Sequence, residues 1–300
     1  MTNLTPPTHP ESPLAPPEQA SPWWARGIAA LPLLWVQRIG AALGWIAYCA
    51  SPSYRRKFST QWQQAALVCA GDNSLFSPAA RRQSIGQSGM LITETLWIWL
   101  RPHSEVVAKV ICEDTTIMDN AQLVGKGIIF LTPHLGAFEV TARYYASRAP
   151  ITVLFKPSKI TVVNRLLAEA RELPQLHTAP ADSSGVRKLL RALKNGQAVG
   201  LLPDQVPGDG QGQWASFFGK AAYTMTLPQK LSALTGAPLV LAVGQRLPKG
   251  QGWKLHFATL LGEASPQAVN NAMEGLVRKL PSQYLWGYNR FKQPTKKAVE

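Results

Sequence analysis

From residue 127 onward, short unbroken apolar runs alternate with helical patterns, and that alternation limits the possible folds more than any other feature. GIIFLT (127–132), ITVLF (151–155) and AVGLLP (198–203) are too short for core helices and read as strands buried on both faces. Helical spacing covers 138–148, 161–172 and 185–195 between and after them. Asp182-Ser183-Ser184 supplies an N-cap to the last of these, and Gly196 stops it. A Gly-rich loop (206–212) leads to a helix over 226–235 that ends at Gly236. PLVLAVGQR (238–246) and WKLHFATLL (253–261) read as two further strands, and Ser265-Pro266 opens a last helix running toward Leu280. The expected fold is α/β, with a mostly parallel or mixed central sheet flanked by helices and a membrane-associating helical region at the N-terminus.

That N-terminal region starts abruptly. Residues 1–22 carry seven prolines and almost no large apolar side chain, which predicts a disordered tail. No apolar segment follows a basic start within the first twenty residues, so no signal peptide is expected. Residues 23–50 (WWARGIAALPLLWVQRIGAALGWIAYCA) are long and apolar enough to reach across a bilayer, but Gln37 and Arg38 fall in the middle. An arginine near the bilayer centre costs about 2.5–3.5 kcal/mol on insertion scales, and Pro32 would bend a continuous helix. A helix lying in the interface, anchored by Trp23, Trp24, Trp35 and Trp45, fits better than a clean span. The cluster Arg55-Arg56-Lys57 follows directly, as a lipid-facing segment on the cytoplasmic side would have it. Helical patterns over 53–70 and 78–100 come next. The main domain is expected over 51–294 and a flexible tail over 295–300.

A formal charge of +14 predicts an anionic partner: acidic lipid, acidic protein or nucleic acid. No nucleic-acid motif of the usual kinds is visible. Cys49, Cys69 and Cys112 stand far apart with no CxxC pair and no neighbouring histidine cluster, so we expect reduced core thiols rather than disulfides or a zinc site. The remaining histidines (9, 103, 177 and 256) show no metal-ligand spacing, and no metal or other cofactor is expected. GQSGM (86–90) lacks the last glycine of a nucleophile elbow. GDGQGQ (208–213) lacks the third glycine of a dinucleotide loop.

Chemistry concentrates in LTPHLGAFEV (131–140), where a buried strand ends, His134 occupies the turn and a helix begins. Such turns at the carboxyl ends of strands are where α/β sheets collect reactive groups. Five residues along one helix is about 500°, so His134 and Glu139 cannot share a helix face. With His134 before the helix and Glu139 in its first turn, the carboxylate is expected to reach back to one ring nitrogen. The other nitrogen is then free to take a proton from a hydroxyl. Gly136 would leave room for a thioester chain to approach the backbone.

PHLGAFE (133–139) resembles the His-x4-acid block of the lysophospholipid acyltransferase superfamily. FKP (155–157), GLLPDQVPGDGQG (200–212), FFGK (217–220) and YLWGYNRFK (284–292) resemble, in order, later blocks of its lipid A biosynthesis branch, the lauroyl/myristoyl acyltransferases. The resemblance implies transfer of a fatty acyl group from an acyl carrier protein thioester to a hydroxyl of a lipid A precursor, without a metal, at the cytoplasmic face of the inner membrane. It implies His134 as base and Glu139 as its orienting acid, with Lys156 and Asp204 lining the pocket and Arg165 and Arg171 as phosphate contacts. Lys156 stands where the family often has arginine, and Ile160-Thr161 replaces a common Asn–Pro pair. Other acceptors, a lysolipid or an aminolipid, stay open. So do an esterase using the same dyad and a non-catalytic basic membrane-binding protein. Phe217, Phe218 and Trp286 are expected in the core rather than along an acyl groove.

Overall fold

Ile128–Leu131 form a strand, β2, in which all four residues are buried, as expected of a strand covered on both faces. Its side chains divide by pleat: Ile129 and Leu131 enter one hydrophobic cluster, Ile128 and Phe130 another on the opposite face. In the computed structural model, residues 22–71, 75–156 and 173–295 are described. The helix expected over 161–172 and most of both tails lie outside them.

The described residues open with four helices, α1 (Trp23–Ala30), α2 (Leu33–Ala50), α3 (Pro52–Val68) and α4 (Pro78–Leu100). Next come α5 (His103–Ala108), β1 (Val110–Ile111), α6 (Thr116–Leu123), β2, α7 (Glu139–Ala146), β3 (Ile151–Phe155) and β4 (Leu176–Pro180). Then follow α8 (Ser183–Lys194), β5 (Ala198–Leu201), β6 (Gly212–Phe217), β7 (Lys220–Met225) and α9 (Leu227–Thr235). The last elements are β8 (Leu239–Arg246), β9 (Trp253–Thr259) and α10 (Pro266–Lys279). Seven strands form one sheet in the order β1-β9-β8-β2-β5-β3-β4; β6 and β7 form a separate hairpin. The sheet is parallel except where β9 runs antiparallel to β8. It is the mixed α/β sheet the sequence predicts.

Local signals set the helix ends. Asp182 caps α8 by accepting from the backbone N–H groups of Ser184 and Gly185, a contact worth about 1 kcal/mol. Ser77-Pro78 and Ser265-Pro266 start α4 and α10 in the same way. Gly236, at φ 71°, ends α9.

Leu131 of β2 pairs with Leu201 of β5. Beyond this pair the chain leaves β2 through α7 toward β3, and leaves β5 through the hairpin and α9 toward β8, on the other side of β2. The two exits use opposite faces: Tyr145 and Ala146 of α7 pack in one cluster, Leu231 of α9 in the other. The carboxyl ends of β2 and β5 therefore meet at a topological switch point, the place where open α/β sheets leave a crevice.

Helix α2 packs along α4 by means of small residues. Gly40 and Gly44 face Gly86 and Gly89, and a Cβ on Gly89 would run into the carbonyl oxygen of Gly40 and the backbone nitrogen of Gly44. The opposite side of α2 exposes Trp35, Ile39, Leu43 and Ile46 in one stripe. Cys49, expected in the core, is exposed at the end of that helix, because its position lies off the face that meets α4; Cys69 is buried and Cys112 half-buried. All three are free thiols.

Candidate active site

The turn after β2 is fixed by backbone bonds before any side chain acts. Leu285 N–H donates to the His134 carbonyl at 3.0 Å, Gly136 N–H to Gln283 at 3.0 Å, and Ala137 N–H to Gly244 at 2.8 Å. Gly136 sits at φ 61°, and a Cβ there would strike the Gly244 carbonyl oxygen. Its missing side chain thus allows close packing of the turn on β8.

Three residues beyond the end of β5, Asp204 turns its carboxylate onto this loop. One oxygen accepts from the His134 backbone N–H at 2.8 Å, and the other lies 2.8 Å from the His134 ring Nδ1. The Asp204 side chain is 2% exposed and the imidazole 13%, so the pair is buried on one side and reachable on the other. Burial alone would raise the Asp204 carboxyl. The His134 charge, its two hydrogen bonds and the nearby Arg290 outweigh burial and hold the carboxyl below its ordinary value. In the neutral ring, an ionised Asp204 accepting from Nδ1–H would leave Nε2 with a lone pair. The Gln205 side-chain amide meets Nε2 at 2.9 Å. The ring also lies against Phe138, with centroids 4.8 Å apart.

Behind Asp204 stands a second layer. Arg290, fully buried, donates to Tyr223 O at 2.8 Å, to Thr224 Oγ1 at 2.6 Å and to Asn270 Oδ1 at 3.2 Å. Tyr284 is also buried; burial and the Asp204 charge push its hydroxyl well above the usual tyrosine range. Tyr288 accepts from Val206 N–H at 2.8 Å, which fixes the strand exit carrying Asp204 and Gln205. Phe217, Phe218 and Trp286 are core residues, as expected.

Both ring nitrogens of His134 are therefore engaged by the turn after β5. Glu139, expected as the orienting acid, opens α7, and its charge acts on Arg143 one turn along the helix. Lys156 follows β3 directly and is exposed, one strand over from β5 on the same edge of the sheet. Arg165 and Arg171 lie outside the described residues. A cleft of about 490 Å³ opens elsewhere, between β4 and α8, lined by His177, Lys188 and Arg191 among others; among the described residues, none of the expected site residues lines it.

The family resemblance implies a pocket role for Asp204 but gives no direct sign of its hydrogen bond to His134. The two are 70 positions apart, and only strand adjacency brings them together. The one sequence signal for the pairing is that each follows a short buried run ending in proline.

Comparison with known proteins adds an independent line. The profile of the family described as bacterial lipid A biosynthesis acyltransferase matches residues 22–293. The lipid A biosynthesis palmitoleoyltransferase of Escherichia coli (strain K12) is 28% identical over 214 residues, 68% of each chain. The lipid A biosynthesis lauroyltransferase of the same organism is 25% identical over 218 residues, 70% of each chain. The lipid A biosynthesis acyltransferase of Haemophilus influenzae is 28% identical over 180 residues, 56% of this chain and 55% of that one.

Proposed function

This chain belongs to the bacterial lipid A biosynthesis acyltransferase family, and so transfers an acyl group to a lipid A precursor; we propose that His134 is the general base of that transfer and Asp204 the carboxylate that orients it. The observation that carries this reading is the 2.8 Å contact between Asp204 and Nδ1 of a partly accessible imidazole. In this reading the basic lone pair lies on Nε2, facing the Gln205 amide. An acceptor hydroxyl entering the crevice takes the amide's place, and its proton passes to Nε2 as the oxygen attacks the thioester carbonyl. The carbon–oxygen bond forms, the carbon–sulfur bond breaks, and the imidazolium returns the proton to the departing thiolate. Asp204 remains ionised throughout and stabilises the imidazolium. Acyl carrier protein is the proposed donor carrier.

In this reading Glu139 keeps a negative charge at the helix start, balancing the buried Arg143. Lys156, exposed after β3, meets an anionic group of the acceptor in this reading. The exposed stripe Trp35–Ile46 lies in the lipid interface, with Arg38 over Trp35 at 4.9 Å and Arg55, Arg56 and Lys57 exposed at its end. On the cytoplasmic leaflet of the inner membrane this delivers the crevice to a lipid that never leaves the bilayer.

The test is to supply purified protein in anionic vesicles with a labelled acyl thioester of acyl carrier protein, with and without a lipid A precursor. Label on the lipid hydroxyl supports the reading. Free fatty acid alone would make the protein an esterase, and no consumption of thioester would make it a binding protein; either outcome sinks the proposal.

A further inference from the structure

Arg246, at the end of β8, and Glu94, inside α4, form an ion pair at 2.6 Å, with side chains 2% and 1% exposed. Taking two charges out of water costs several kcal/mol per ion, and replacing a buried pair by apolar residues is often neutral or stabilising. Stability is therefore a poor explanation for this pair.

Its connections give a better one. The Arg246 guanidinium donates through Nε to Glu94, through Nη1 to Gln87, and through Nη2 to the Gly136 carbonyl at 3.4 Å. The Arg246 backbone N–H donates to Gln283 Oε1 at 2.8 Å, and Gln283 returns a bond to the Arg246 carbonyl at 3.0 Å. The Gln283 carbonyl in turn accepts from Gly136 N–H. Both polar groups of Gly136 are thus held by Arg246 or by its direct partner. On the far side, Gln37 of α2 donates to Glu94 at 2.8 Å and accepts from Gly250 N–H at 2.9 Å. The network runs without a break from the helix with the exposed apolar stripe to the turn that presents His134.

We propose that Arg246 is a positioning residue, set by Glu94 and Gln87, which holds the 134–137 turn at the height from which the His134 ring reaches the acceptor hydroxyl. The inference rests on His134 being the base. Arg246 makes no hydrogen bond to the His134 ring, so its removal affects the chemical step by letting the turn relax toward the space that the guanidinium fills. A misplacement of about 1 Å can cost about a hundredfold in rate.

The test uses the full-length protein in two variants, Glu94→Leu/Arg246→Met, which is charge-free, and Arg246→Lys, which keeps the charge but loses the fork. Melting temperature, the KM for each substrate and single-turnover kcat are measured, with His134→Ala run beside them. We expect the double variant to melt at or above wild type, with KM values little changed and kcat lowered roughly 10- to 100-fold. Arg246→Lys should lose about tenfold in kcat, since an ammonium cannot serve Glu94, Gln87 and Gly136 together. Wild-type kcat in either folded variant overturns the proposal. Failure of both to fold overturns it too, because the pair would then be a folding element. An active His134→Ala would instead overturn the mechanism on which the inference rests.

Discussion

Replacing Asp204 by asparagine isolates what its charge does. His134 Nδ1 and Asp204 Oδ1 are 2.8 Å apart and the carboxylate is 2% exposed, so solvent screens the pair little. Unit charges about 4 Å apart, in an effective dielectric of about 20, attract by about 4 kcal/mol. The imidazolium exists only after the acceptor proton has moved, so this attraction favours the transition state over the ground state. At about 1.4 kcal/mol per factor of ten, losing most of it slows transfer about 10³-fold. Asparagine also offers an amide N–H where the carboxylate accepted. That reverses the ring tautomer and puts the proton on Nε2, the nitrogen that has to receive one. The oxygen of the substituted amide can still accept from the His134 backbone N–H, so the turn should persist. The assay is single-turnover transfer of labelled acyl chain to lipid, for Asp204→Asn and Glu139→Gln side by side. Asp204→Asn should lose about three orders of magnitude while Glu139→Gln loses much less. An Asp204→Asn enzyme within about tenfold of wild type, beside a dead Glu139→Gln, would refute the assignment and return the orienting role to Glu139.

Three other outcomes follow from the structure. Gly89→Val puts a branched side chain against the backbone of Gly40 and Gly44, and should destabilise by about 1–3 kcal/mol or more, read as a lower denaturant midpoint; an unchanged midpoint would mean α2 does not pack on α4 in solution. The Asp204 carboxyl is depressed in the folded state, so its stabilisation is present above the unfolded value of about 3.9 and is lost as pH falls through the lower folded value. Melting temperatures of wild type and Asp204→Asn should therefore differ at neutral pH and converge at strongly acid pH, and parallel curves would contradict this. Fluorophores placed by Ile39→Cys, Leu43→Cys or Ile46→Cys in a Cys49→Ser background should all be quenched at one shallow bilayer depth. Depth changing steadily along the helix would mean that α2 spans.

The legible parts of this fold were those where burial left a chemical trace. Ile128–Leu131 and Ala198–Leu201 are buried at every position, so their runs stand out against any neighbour. Strand β4, Leu176–Pro180, is a mixed segment at the sheet edge with only Leu176 and Ala179 buried, and nothing in LHTAP distinguishes it from a loop. The β6–β7 hairpin was hidden for another reason. Its two-residue turn is Phe218-Gly219, at φ 45° and 70°, both left-handed. Asn-Gly is the usual signal for such a turn, and phenylalanine is a poor occupant of positive φ. Phe218 is held there by its tertiary partners: its N–H donates to Glu274, its carbonyl accepts from Gln64 at 2.8 Å, and its ring is buried. At the site, His134 was evident from its place after a buried run. Its hydrogen-bond partner was not, because spacing along the chain favoured a neighbour five residues away over one that only the pairing of β2 with β5 brings near.

The most direct check is a single turnover of His134→Ala, with lipid and donor binding measured on the same preparation. Loss of transfer by roughly 10²–10⁴-fold, with both ligands still bound and the melting temperature retained, is the expected result. Transfer at a rate close to wild type would show that the proton leaves the acceptor by another route, and that the imidazole between Asp204 and Gln205 is a structural group.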